Sequence, residues 1–333
     1  MKKTLLSTAA LLLCLLAHSQ EAELGNSYAE LTIIPRLDLN PTYSDGDGFE
    51  FNHGNSSIYT LFEGSASEHF SWTVANHWIS AGGDYGWPYT GLGYSDTTNW
   101  IDFLKADLTF GNWTFTLGKD VMSLGGFEYE DWDWDAHPTF NSGLWNDLSP
   151  YQWGGKVAYT TNSEMSTFSA QMTTSPFGER PFSSGLYTYS AQWRGEYGWF
   201  SNIWSVSALG RDKGVYDWIV SLGNRATFDS WTVTLDWENS AGYDEIEESY
   251  QSGWNLQGSV KYAPSEKWDA TLKGNLTRWN GYDASMSSFG AIFQYYPLDD
   301  DRLRIHAYAA YMPDIKLFTL SVGARFNLLL NLW

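Results

Sequence analysis

One cysteine, Cys14, occurs in 333 residues. It lies inside an apolar N-terminal run, so the rest of the chain can form neither disulfides nor thiolate metal sites. Basic residues are scarce as well, with 19 Lys and Arg against 39 Asp and Glu and a formal charge of −20. A chain this acidic has no electrostatic attraction for nucleic acid. Long hydrophobic runs are also missing. No stretch beyond the N-terminus approaches the roughly 18 consecutive apolar residues of a membrane-spanning helix.

The N-terminus reads as an export signal. Lys2 and Lys3 precede an apolar run from Leu5 to Leu16, too short to span a bilayer, and Ala17-His18-Ser19 sets small residues before a cut ahead of Gln20. Leu13 stands where a lipoprotein signal wants a small residue, so Cys14 is not read as a lipidation site. Removing residues 1–19 from the 333 leaves 314 residues, and losing two lysines takes the charge from −20 to −22.

The sequence is rich in aromatics, with 19 Trp, 21 Tyr and 18 Phe, or 17%. These alternate with polar residues. Trp113, Phe115 and Leu117 interleave with Thr114, Thr116 and Gly118, and Trp231, Val233, Leu235 and Trp237 with Thr232, Thr234, Asp236 and Glu238. Period two gives one apolar and one polar face, which predicts strands. Sixteen such segments are read, near 27–39, 55–64, 69–78, 99–110, 112–121, 151–160, 166–174, 186–196, 199–209, 216–228, 230–238, 254–263, 267–278, 287–296, 302–311 and 316–327. Spread over residues 20–333, they leave about 20 residues for each strand and its connection, which suits a tilted membrane-crossing strand of about ten residues plus a loop.

The connections alternate short and long. Gly111-Asn112, Asp229-Ser230, Tyr197-Gly198 and Pro264-Ser265-Glu266 are short, whereas 40–54, 79–98, 122–150, 175–185 and 239–253 are long. Short periplasmic turns and longer external loops are the mark of an all-β transmembrane antiparallel barrel, here of about 16 strands in a single unit after the signal. A soluble β-sandwich would bury its apolar faces as runs of Val, Ile and Leu and would carry charge on its wet face. The polar faces here are mostly Ser, Thr, Gly, Asn and Gln.

The stretch Gly118-Lys119-Asp120-Val121-Met122-Ser123-Leu124-Gly125-Gly126-Phe127-Glu128-Tyr129 resembles the motif that closes a strand and opens the third long loop in phosphate-selective-type porins. The terminal Trp333 is similar to the aromatic last residue that barrel-assembly machinery recognises. The resemblance implies a sixteen-stranded, usually trimeric channel in the outer membrane of a diderm bacterium, among lipid and lipopolysaccharide. Small hydrophilic solutes would pass through it by diffusion. Asn327, Asn331 and Leu328-Leu329-Leu330 depart from the alternation usual in the last strand of that family. A plugged barrel serving as scaffold for a larger envelope assembly is the alternative reading.

Parity assigns charges to the lumen. Arg36, Lys105, Lys156, Arg194, Arg225, Lys261, Lys273, Arg304 and Arg325 fall on the polar faces, as do Asp107, Asp236, Glu238 and Asp269. Rings of Lys and Arg favour anions, although any barrel must turn its strand charges away from lipid. Loop 122–150, by its place in the resemblance, is expected to fold inward and narrow the channel. There Glu128, Glu130, Asp131, Asp133 and Asp135 alternate with Tyr129, Trp132 and Trp134, with Trp145 further on. Those rings suit either sugar stacking or anchorage to the wall, and anchorage is preferred. Asp45-Gly46-Asp47-Gly48 with Glu50 offers hard oxygens but lacks the spacing of a calcium loop, so it is read as a turn. His53, His69, His77, His137 and His306 show no paired motif spacing, so neither an enzyme active site nor a cofactor is expected.

Overall fold

Period-two sequence produces strands, and a strand with one apolar and one polar face is stable in lipid only if the sheet closes on itself. In the computed structural model, residues 27–46, 48–52, 56–80, 101–130, 140–178, 182–281, 285–298 and 302–332 are described. The expected signal segment 1–19, most of the expected loop 79–98 and Trp333 lie outside them.

The strands are β1 (Tyr28–Ser44), β2 (Gly48–Asn52), β3 (Ser57–Ser67), β4 (Phe70–Ser80), β5 (Ile101–Phe110), β6 (Trp113–Val121), β7 (Tyr151–Thr160), β8 (Ser166–Thr174), β9 (Tyr187–Glu196), β10 (Phe200–Asp212), β11 (Val215–Phe228), β12 (Trp231–Glu238), β13 (Gly253–Ser265), β14 (Trp268–Trp279), β15 (Ser285–Tyr295), β16 (Leu303–Met312), β17 (Leu317–Phe326) and β18 (Leu328–Asn331). All neighbours are antiparallel. β1 pairs on one side with β2 and β3, and on the other with β17 and β18. Each of these two pairs is one interrupted stave, so the barrel closes with sixteen staves.

All sixteen sequence segments correspond to staves, and the differences lie at the ends. The expected loop 40–54 is mostly a hairpin. β1 runs on to Ser44 and β2 returns from Gly48, with Tyr43 opposite Phe49 on the outer face. Asp45 in its turn meets Lys316 Nζ at 2.7 Å, and Asp47 lies outside the described residues. Pro264 belongs to β13 rather than to a turn, and the register shifts between Tyr262 and Ser265 because proline has no N–H for the ladder. Asn327, where alternation fails, is the break between β17 and β18.

The outer surface is apolar. Leu117, Leu272 and Val322 point outward and are well exposed, while their neighbours Thr116, Thr271 and Ser321 point inward. At the short-turn end rings touch from strand to strand, as in Trp113–Tyr159 at 4.9 Å, Trp199–Phe228 at 5.4 Å and Trp231–Tyr262 at 4.5 Å. Aromatic belts of this kind sit at the bilayer interface. No described helix is long and apolar enough to cross a membrane. Detergent-folded protein is therefore expected to give a β-rich far-ultraviolet circular dichroism spectrum and to migrate differently on gels with and without boiling. A helical spectrum would refute the fold.

Candidate functional site: the lumen and its inward loop

The loop after β6 does not leave the barrel. Gly125, with φ of +82°, turns the chain across the wall, and contacts to inward-facing side chains then follow strand by strand. Gln171 of β8 accepts from Ser123 N–H at 2.6 Å. Ser207 and Ser205 of β10 donate to the carbonyls of Ser123 and Gly125 at 3.4 Å. Gly126 lies against Gly223 of β11, where a Cβ on either would stand 3.0 Å or less from the other's Cα. Asp236 of β12 accepts from Glu128 N–H at 2.9 Å. Beyond a short 3₁₀ turn, Phe127–Glu130, Asp131, Trp132, Asp133, Trp134 and Asp135 lie outside the described residues, as does the Glu130 side chain. Where description resumes, Gln257 of β13 donates to the Phe140 carbonyl and Asn275 of β14 to that of Asn141 at 3.0 Å. Phe140 is fully buried against Tyr308 of β16.

The return is a short helix, Gly143–Asp147, capped by Ser142, whose hydroxyl accepts from Trp145 N–H at 3.1 Å. It packs into an apolar core inside the barrel, formed by Met122, Leu124, Leu144 and Leu148 of the loop, Leu209 and Ile219 of the wall, and Tyr250 of the loop after β12. Trp145 is buried edge-on against Tyr129, with ring centroids 4.2 Å apart. This ring therefore anchors the loop. Asp147 accepts from Tyr243 N–H at 2.9 Å, and its carbonyl accepts from Tyr250 Oη at 2.9 Å.

Eight of the nine basic residues assigned to the lumen fall into three groups, two of which share Arg304, and Arg194 stands beside the third. Lys105 and Lys156 converge on Asp120, at 3.2 and 2.7 Å. Arg36, Arg325 and Arg304 are register partners across β1, β17 and β16, and Arg36 Nε meets Asp38 at 2.6 Å. Arg225, Lys261, Lys273 and Arg304 line one cavity of about 660 Å³ on the short-turn side of the loop, together with Phe127, Glu128, Gln257 and Tyr296. Arg225 lies 3.9 Å over the Phe127 ring, Lys261 meets Asp269 at 3.1 Å, and Arg194 lies within electrostatic reach of Arg225 and Glu196. Among the described residues no group of three or more His, Cys, Asp and Glu has the geometry to hold a metal ion.

Sequence reasoning missed two partnerships. Asp120, part of the resembling motif, bridges lysines from both neighbouring strands. His306 of β16 bonds Asp38 of β1 across the strand between them. Only the register makes those pairs visible.

A closed sixteen-stave barrel with a loop folded inward is a fold with known relatives. This is the porin fold. The chain is similar to the outer membrane channel DcaP of Acinetobacter baumannii, with a TM-score of 0.62 and 12% identity over 92% of this chain and 99% of that one. A triple mutant of the Rhodopseudomonas blastica porin aligns with a TM-score of 0.57 and 13% identity, over 90% of this chain and 100% of that one. OmpT of Vibrio cholerae, expressed in the outer membrane, gives 0.57 and 11%, over 92% and 99%. No protein-family model matches the sequence, and no curated protein matches it by sequence.

Proposed function

We propose that this chain is an outer-membrane channel for passive diffusion of small hydrophilic solutes, with a preference for anions. The observation that carries the reading is the cavity beneath the inward loop, where Arg225, Lys261, Lys273 and Arg304 converge inside a barrel whose outer wall is built for lipid. Asp45, Asp244, Glu245, Glu247 and Glu248, in the loops after β1 and β12, are not among the residues that line this cavity, where Glu128 and Asp236 are the acidic members. The motif resemblance to phosphate-selective porins and the fold of the solved channels support the same reading. Residues 122–150 form the constriction in this account.

Single-channel conductance and reversal potential in a salt gradient test it. A charge about 10 Å from the axis in water contributes about 0.4 kcal/mol. Each removed charge moves anion and cation in opposite senses, so replacing Arg194, Arg225 and Arg304 together by Gln should lower the anion-to-cation permeability ratio by up to about 70-fold before screening, and by a few-fold at physiological salt. An unchanged reversal potential would remove the anion preference, and a silent barrel would favour the plugged scaffold.

A further inference from the structure

Three carboxyl groups are buried together where the loop crosses β11 and β12. Glu128 comes from the loop, and Asp236 and Glu238 from β12; all three are almost fully buried. Two have defined work. Asp236 Oδ2 receives Glu128 N–H, and Glu128 Oε1 receives Ser142 N–H at 2.5 Å. Neither oxygen of Glu238 receives a hydrogen bond of normal geometry, and the hydroxyls of Ser142 and Ser221 stand beside it. Around the cluster, Lys273 of β14 and Arg225 of β11 supply positive charge, Gln257 of β13 donates to Glu128 at 3.5 Å, and Tyr129 and Tyr250 lie on the long-loop side. Three carboxylates facing two cations leave one surplus negative charge in a site with little water, and a bound proton cancels it.

We propose that Glu128, Asp236 and Glu238 form a proton-operated latch that holds the inward loop against the wall at Gly223 and releases it as the cluster loses its proton. This rests on the channel reading above for its effect on current, but not for the movement itself. Burial raises the Glu128 carboxyl above its ordinary value of 4.5, against the opposing pull of Lys273 and of the Ser142 N–H. The sign follows from linkage. The docked loop binds the proton more tightly than a released one, so docking is favoured at low pH. It weakens as pH rises from about 4.5 through the raised value. A released loop, still tied at Val121 and Tyr151, can swing across the lumen.

The test uses the whole detergent-folded chain. Each unit by which docking raises the carboxyl costs the docked state about tenfold on ionisation. Between about pH 5 and about pH 9, channel closures at fixed voltage should become about tenfold or more frequent, and cleavage within the loop by a protease cutting after aromatic residues, normalised to a free peptide, should accelerate equally. The double variant E128Q/E238Q should show neither change. Closure and cleavage rates that stay flat with pH in the wild-type chain would overturn the latch, as would a double variant that responds like wild type. A chain that never conducts would defeat the channel reading, while the cleavage arm would still decide the latch.

Discussion

A barrel lacking Tyr129 to Trp145 is expected to conduct several-fold more current than the intact chain while remaining heat-modifiable. The deleted segment carries the contacts to β13, β14 and β16, and Leu144 and Tyr129 of the core around Tyr250, but none of the ladder that closes the barrel. Strand pairing is separate from loop packing, so the wall survives. Unfolding should come at a lower temperature, because the core of Leu209, Ile219 and Tyr250 loses Leu144 and Tyr129. Single-channel recording beside unboiled gels measures both effects. Conductance equal to that of the intact chain would mean that the loop does not narrow the path.

The second large effect concerns the seam. Gly323 of β17 lies between Asp38 of β1 and His306 of β16, and a Cβ there would stand 2.1 Å from Asp38 Oδ1 and 2.6 Å from His306 Nε2. Glycine is required because the two side chains meet across its face. Gly323→Val should therefore drive apart a buried group that includes Arg36, at a cost of about 3 kcal/mol or more. The folded fraction in a urea titration in detergent should fall accordingly. Adding Asp38→Ala and His306→Ala removes the two side-chain contacts but leaves the Leu37 carbonyl oxygen 2.7 Å from the Cβ, so the valine should cost less in that background than in the native seam without becoming neutral. Equal destabilisation in both backgrounds would place the clash elsewhere.

Much of the fold was legible in the sequence because the solvent on the outside imposes it. Lipid rejects any polar side chain on the outer face, so period-two alternation persists through strands such as β9 and β12 and gives away both their existence and their inward parity. Turn residues with positive φ, Gly111 and Asp229 among them, mark the short connections for the same local reason. Where lipid stopped dictating, the reading was less sharp. The hairpin of β1 and β2 reads as a loop in the sequence, because Pro41 and the run Asp45-Gly46-Asp47-Gly48 break up its alternation.

Sequence by itself determined which residues of a strand share a face, since parity is a property of one strand. Only the tertiary structure decided what they meet there. Asp120 between Lys105 and Lys156, or Asp38 beside His306, depends on the register between strands, which no single strand encodes. Glu128 shows the same limit. As one acid in an acidic loop it read as a constriction charge, yet the loop's path along the wall buries it beside Asp236 and Glu238. A side chain's neighbours across a lumen are set by how the whole sheet closes, and closure is a property of sixteen staves together.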